Sequence, residues 1–448
     1  MVSTSPDSSA PDAPTARRQT AAEVPGPRRF VPQLEGMRAL AALGVLTTHV
    51  AFQTRAVEIP VLGPVLGRLD LAVALFFGLS GFLLWRPWVA AAHGGDTHGG
   101  DTHCGDTHGG GASGGHPPIR RYLRHRVVRI WPAYLVVVVL VLTLLPDAQN
   151  ADATVWLANL TLTQVFVPLS LTAGLTQMWS LSVEVAFYLL LPLLGLALVT
   201  LRGRRVRWRI PALFAIGAAS LTWGWVAVTL PVPAGVEPKN WVVGHLPWFL
   251  AGLVLAELVG LWESRVADPR AVQSRWLAVV IGISGRRWLM FAVLVVAYGL
   301  ACTPIAGPTG LGDLHQWQFA VKMVLGAICA YAILAPLLCA PGPFRFLDSR
   351  VMQALGRWSY GIFIWHIAVL AVVFGLFGIV PFNGDTVLVW AITVVVTIGV
   401  SAASYAFVEE PARRWLRRRE TARATAVRQE SGIATDQAVT ATATTAGN

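Results

Sequence analysis

The sequence predicts an all-α fold, a polytopic bundle of about ten membrane-spanning helices. Three observations carry that expectation. Only 13% of the 448 residues are charged while 54% are hydrophobic, and a soluble domain carries nearly twice that charge fraction. Apolar stretches long enough to cross a bilayer recur along most of the chain,. Arginines cluster between alternate apolar stretches, the pattern of the positive-inside rule.

Length and flanking charge set the spans at 37–53, 70–91, 129–146, 183–200, 211–230, 243–261, 288–305, 319–339, 358–380 and 387–408,. One side of the membrane receives Arg17, Arg18, Arg28 and Arg29, then Arg120 to Arg129 and Arg202 to Arg209. Arg265 to Arg287, Arg345 to Arg357 and Arg413 to Arg419 continue it. The other side holds almost no cations and includes the long segment from Pro146 to Gln177. The protein is therefore expected in the plasma membrane with both termini cytoplasmic, in keeping with an even number of spans. The 211–230 run is the weakest of the ten, and its loss would break the alternation.

Residues 1–30, rich in Ser, Pro, Ala and Thr, read as a disordered cytoplasmic segment,. They lack the apolar core of a signal peptide. The membrane domain is expected over 31–416, followed by a low-complexity, disordered cytoplasmic tail at 417–448,. A Gly/His/Asp/Thr-rich loop insertion at 93–118 repeats a five-residue unit between the second and third spans. Its His, Asp and Cys could bind a metal, but Gly and Thr hold no ligand geometry, so it reads as a flexible linker. No metal site is expected.

The net charge of +11 and pI near 10.2 suggest nucleic acid at first sight. The positions of the cations assign them to topology instead, and no nucleic-acid partner is expected. Cys104, Cys302, Cys329 and Cys339 show no metal-ligand spacing and read as free thiols,.

Five constellations carry chemistry. Arg38 and His49 lie eleven residues apart in the first span, which puts them on one helical face roughly 16 Å apart along the axis. The bland alternative is a hydrogen-bonded core His and an Arg reaching for headgroups. Ionisable side chains inside a membrane mark sites by default, and His is best suited to proton transfer near neutral pH. Arg126 and Arg129, three apart at the start of the third span, could clamp phosphates or simply anchor topology. Glu184 follows Trp179 and Ser180, one turn before Tyr188. It could cap a helix, pair with a cation or work in catalysis. Ser80-Gly81 reads as a close-packing device. Ser359 and His366 share a face at i, i+7 beside Tyr360, in a supporting role.

In this order the motifs resemble the acyltransferase-3 family of integral membrane acyltransferases. They are L34-E-G-M-R38 with His49, L75-F-F-G-L-S-G-F82, R126-V-V-R129-I-W-P and W179-S-L-S-V-E184-V-A-F-Y188. S359-Y-G-I-F-I-W-H366 and V408-E-E-P-A-R-R-W415 complete the series. They run from about residue 30 to 416, nearly the whole folded chain. The resemblance implies a ten-helix enzyme that takes an acyl group, acetyl or another short one, from cytoplasmic acyl-CoA. The acceptor would be a hydroxyl of an envelope glycan, a glycolipid or a small-molecule metabolite. His49 matches the family's catalytic His; Arg38, Arg126 and Arg129 match positions serving the acyl-CoA side; Glu184 matches its acidic position. No permanently bound cofactor is implied, since acyl-CoA is a substrate. Many members have Asp where this chain has Ala74, so the carboxylate partner of His49 falls to Asp70 or Glu184. The esterase-like domain that some members carry is not found in this sequence. The competing reading is a membrane transporter or exporter of a glycan or lipid, which should show internal repeats that the sequence lacks.

Overall fold

The computed structural model describes residues 31–93, 118–201, 203–267, 274–310, 312–340, 342–423 and 425. The segment 1–30, the His-rich repeat and the tail beyond 425 lie outside the described residues. Among the described residues the secondary structure is entirely helical.

Helix α1 (Pro32–Gln53) opens on a proline, whose missing N–H costs nothing in a first turn. A short α2 (Leu62–Gly67) and a 3-10 turn over Arg68–Leu71 lead into α3 (Ala72–His93). Then come α4 (Ile119–Leu144), α5 (Ala153–Leu160) and α6 (Met178–Val199). Helices α7 (Arg209–Leu221), α8 (Trp223–Ala227) and α9 (Val242–Ala267) follow. Next are α10 (Arg275–Ser284), α11 (Arg287–Ala301) and α12 (Gln316–Cys339). The series ends with α13 (Arg350–Phe377) and α14 (Thr386–Ser404).

Among the described residues eight helices are long and apolar enough to cross a membrane, nine if α10 and α11, bent by 68°, form one span. The 22-residue α1 is long enough but falls outside that set, because Glu35, Arg38 and His49 dilute its apolar run. The ten expected spans thus fall on helices: the fifth is divided between α7 and α8, and the seventh, 288–305, falls on α11, which α10 precedes across the bend.

Helix α9 is the centre of the bundle, with 89% of its apolar window buried. It packs against α3, α7 and α12. Lipid offers no hydrophobic drive between helices, so close packing has to hold them. A Cβ on Gly252 would lie 1.9 Å from Gly78 O, and one on Gly81 would lie 2.3 Å from Phe249 O. Only glycine permits that approach of α3 to α9. An ion pair locks the same region: Arg209 Nε and Nη2 donate to Glu257 Oε1 at 2.8 and 2.6 Å, and Trp85 Nε1 donates to the same oxygen at 2.7 Å. Both charged side chains are buried.

The stretch from Pro146 to Gln177, expected as an external segment, is tucked partly into the bundle. Asn159, Gln164, Ser170 and Gln177 are all buried and satisfy irregular backbone as a membrane interior demands. Asn159 donates to Val155 O and Ser170 O, Gln164 to Met178 O, and Gln177 to Ile364 O on α13. Helix α6 consequently starts at Met178, five residues before the expected span.

The disordered tail expected from 417 is corrected at its start. Helix continues from α14 through a π turn at Tyr405–Glu409 as far as Arg423. Pro411 has no N–H for the carbonyl four residues back, and the wider π turn absorbs that break. Glu420 then meets Arg121, Arg124 and His125 of α4, which anchors the extension.

Candidate active site

Helices α1 and α13 pack side by side and bring together two histidines 317 residues apart. His366 Nε2 lies 3.2 Å from His49 Nδ1, with ring centroids 5.0 Å apart. His366 Nδ1 is 2.7 Å from Phe363 O and 3.2 Å from Ile362 O. A carbonyl only accepts, so Nδ1 carries the proton and Nε2 presents a lone pair. His49 Nδ1 is 2.8 Å from Val45 O, so it too carries the proton and shares it between Val45 O and His366 Nε2. The hydrogen-bond network thereby assigns the tautomer of His49. Its Nε2 keeps a lone pair, as a general base or nucleophile requires. His366 is buried and His49 half-buried.

The partner that hydrogen-bonds His49 is therefore an imidazole. Of the two carboxylates weighed for that place, Asp70 acts on His49 electrostatically. Its hydrogen bond goes to Lys322 of α12, Nζ donating to Oδ2 at 2.6 Å. Asp70 sits on the 3-10 turn before α3, not on α3 itself. Two anchors fix that turn: Arg68 donates to Gly307 O at 2.7 Å and Thr48 of α1 donates to Gly67 O at 2.9 Å. Ala74, where many family members have Asp, is wholly buried.

Glu184 belongs to a second cluster. It lies in the second turn of α6, whose first residue is Met178, so helix capping is ruled out for it. Ser80 Oγ and Tyr188 Oη both donate to Glu184 Oε1, at 2.5 and 2.6 Å. Ser80 thus does more than the close packing expected of it, while Gly81 performs that packing. The Arg126 guanidinium lies 5.8 Å from the centre of the Tyr188 ring. Arg38 pairs with Glu35 at 3.5 Å and lies within electrostatic reach of Arg129 and Glu184. The structure thus brings Arg38, Arg126, Arg129 and Glu184 into one neighbourhood.

A small cleft, open to solvent, lies at this arginine-rich end. His125, Arg126, Val128 and Arg129 of α4 line one wall, and Arg413, Leu416 and Arg417 of the terminal helix line the other. Of the remaining candidates, Tyr360 donates to Ile130 O at 2.8 Å and ties α13 to α4. Ser359 is buried without a contact to His366. The free cysteines Cys302, Cys329 and Cys339 take no part.

Sequence reading passed over Lys322, and Arg413 and Arg417 as cleft residues. Lys322 is a cation inside an apolar run, which alone marks a site. Arg413 and Arg417 had a topological explanation that concealed their placement.

Fold and site together define an integral membrane protein of the helical-bundle type, with a buried histidine pair and an arginine-lined cleft. The chain belongs to the acyltransferase-3 family: the family model, described as an acyltransferase domain, matches residues 31–406. It is an acyltransferase, and its relatives are named for O-acyl transfer in two of the three cases that follow. Acyltransferase MdmB of Streptomyces mycarofaciens is 26% identical over 375 residues, 76% of this chain and 79% of that one. O-acetyltransferase OatA of Staphylococcus aureus is 24% identical over 407 residues, 86% of this chain and 58% of its own. Peptidoglycan O-acetyltransferase OatA of Listeria monocytogenes is 22% identical over 404 residues, 86% of this chain and 56% of its own. This chain thus spans little more than half the length of the two OatA proteins. No solved structure matches it.

Proposed function

We propose that this enzyme takes a short acyl group from cytoplasmic acyl-CoA and delivers it to a hydroxyl of an envelope glycan, a glycolipid or a secondary metabolite. The single observation that carries the proposal is the hydrogen bonding of His49, which leaves Nε2 as the free base of a paired imidazole. The names of the OatA relatives favour acetyl as the group and a cell-wall glycan as the acceptor. The arginine-rich end faces the cytoplasm of the plasma membrane, in line with the positive-inside rule.

Arg126 and Arg129 bind the donor's phosphates from the cleft, with Arg38 behind them, because guanidinium pairs phosphate oxygens in a bidentate manner. The thioester reaches towards His49 along the face of α1 that carries both Arg38 and His49. His49 Nε2 removes the proton from the acceptor hydroxyl as its oxygen attacks the thioester carbonyl. Collapse of the tetrahedral intermediate breaks the carbon–sulfur bond, and the departing CoA thiolate takes the proton back from the imidazolium. His366 holds the tautomer throughout, and the Asp70 carboxylate offsets the charge that His49 gains. A thioester is already activated, so positioning and base catalysis suffice. An acyl-imidazole on His49 would use the same lone pair in two steps.

Glu184 acts by position. It fixes Tyr188, whose ring supports Arg126. Tyr360 fixes α4 against α13. The test is mass spectrometry of envelope glycans and secreted metabolites from cells with and without the gene. A missing acyl mass that the intact gene restores is the expected result. Identical spectra in both strains would overturn the reading.

A further inference from the structure

Beside the cleft a second group of cations is already occupied by a carboxylate. Arg121 and Arg124 of α4 donate to opposite oxygens of Glu420, the first at 3.3 Å, and His125 Nε2 lies 3.1 Å from both. The three cation-bearing residues sit at i, i+3 and i+4 and so share one stripe of α4. His125 belongs to both places, since it also lines the cleft. Glu420 stands on the helical extension that supplies the opposite wall through Arg413, Leu416 and Arg417. One carboxylate therefore fastens the two walls of the cleft to each other. Two arginines and an imidazole around one anion are also the donor set a phosphate takes, with more oxygens than Glu420 can offer.

We infer that Arg121, Arg124 and His125 form a second phosphate subsite, which Glu420 fills when no donor is bound and the 3′-phosphate of acyl-CoA takes over on binding. This rests on the reading that acyl-CoA is the donor. CoA carries a diphosphate and, separately, a phosphomonoester on the ribose. The cleft arginines suit the first and the Glu420 cluster the second, with His125 at the boundary. The exchange keeps the cations of the subsite paired and moves Glu420, on the strap formed by residues 410–423, off the place the 3′-phosphate takes. The Glu420 carboxyl is held below its ordinary value by Arg124, His125 and Arg121 against the opposing effect of burial, so it remains a competing anion at neutral pH.

The experiment is calorimetric titration of the full-length protein in detergent with CoA and with 3′-dephospho-CoA. The wild type should bind CoA about tenfold more tightly, the contribution of one charge-assisted contact. Glu420→Gln removes the competing charge and should tighten CoA by about tenfold again while leaving 3′-dephospho-CoA unchanged. Arg121→Ala/Arg124→Ala/Glu420→Gln removes the Glu420 charge together with the two arginines that hold it and should bind both ligands alike. Equal affinities in the wild type overturn the subsite, as does unchanged CoA binding in Glu420→Gln. Discrimination that survives the triple substitution overturns it too. Retained binding of 3′-dephospho-CoA shows that each variant is folded. If the wild type binds neither ligand, the donor reading fails and this inference falls with it.

Discussion

Replacing His366 by alanine tests the tautomer assignment of His49. In the structure His49 Nδ1–H is shared between Val45 O at 2.8 Å and His366 Nε2 at 3.2 Å. The alanine variant keeps the first acceptor and loses the second. In the resting state that costs a neutral hydrogen bond, about 0.5–1.5 kcal/mol net. When His49 accepts the substrate proton it becomes cationic, and the same bond becomes charge-assisted, about 1.5–3 kcal/mol. The difference, about 1–1.5 kcal/mol, falls on the transition state, so turnover should drop by roughly 5- to 13-fold with little change in donor KM. Glutamine at 366 offers an acceptor oxygen and should recover part of the loss, whereas alanine leaves a cavity. The assay is release of free CoA from acetyl-CoA by purified protein in proteoliposomes, with thermal unfolding followed in parallel. A folded His366→Ala protein with unchanged turnover would refute the role given to the pair.

Other outcomes follow from the same contacts. Arg126→Ala and Arg129→Ala should each weaken CoA binding by about tenfold or more by titration, one lost charge-assisted pair; unchanged affinity would return both to topology. Arg209→Met should destabilise the bundle by about 3–5 kcal/mol in a denaturation series, because it strands the buried Glu257 charge. Arg209→Met/Glu257→Gln, which keeps an acceptor for Trp85, should recover most of that; equal loss in both variants would contradict the ion-pair account. The helix from Thr386 to Arg423 has 38 residues, about 57 Å long against a hydrocarbon core of about 30 Å, so Glu420 lies outside the membrane. Its carboxyl is depressed by its cationic partners, burial opposing them. A depressed carboxylate contributes stability above its ordinary pKa and loses it as pH falls through the folded one. Protection against hydrogen exchange over residues 410–423, measured relative to the intrinsic rate at each pH, should therefore be high at pH 7 and be lost as pH falls through the lowered folded pKa of Glu420,, and protection independent of pH would count against the strap.

The spans and the paired Arg38 and His49 were legible because each is local: apolar length, flanking charge and an eleven-residue spacing on one face. Partnerships between helices were not. His366 was recognisable as an intramembrane histidine, yet its contact with His49 crosses 317 residues of chain. A helix cap remained an alternative for Glu184 because the expected span began too late. The boundary moved once Asn159, Gln164 and Gln177 were found buried, folding polar chain into the bundle. Arg209 was absorbed by the positive-inside pattern although its partner Glu257, a carboxylate in the middle of an apolar run, signalled a buried pair. The bend between α10 and α11 falls at Gly285-Arg286-Arg287, whose cations read as the end of a connecting segment, so the apolar helix before them was not separated from that segment.

The most direct measurement is transfer of labelled acetyl from acetyl-CoA by purified protein, comparing the wild type with His49→Ala. Loss of general-base catalysis should lower turnover by about 100- to 10,000-fold, while CoA affinity and the unfolding temperature stay near the wild-type values. Near-normal transfer by a folded His49→Ala protein would contradict the account.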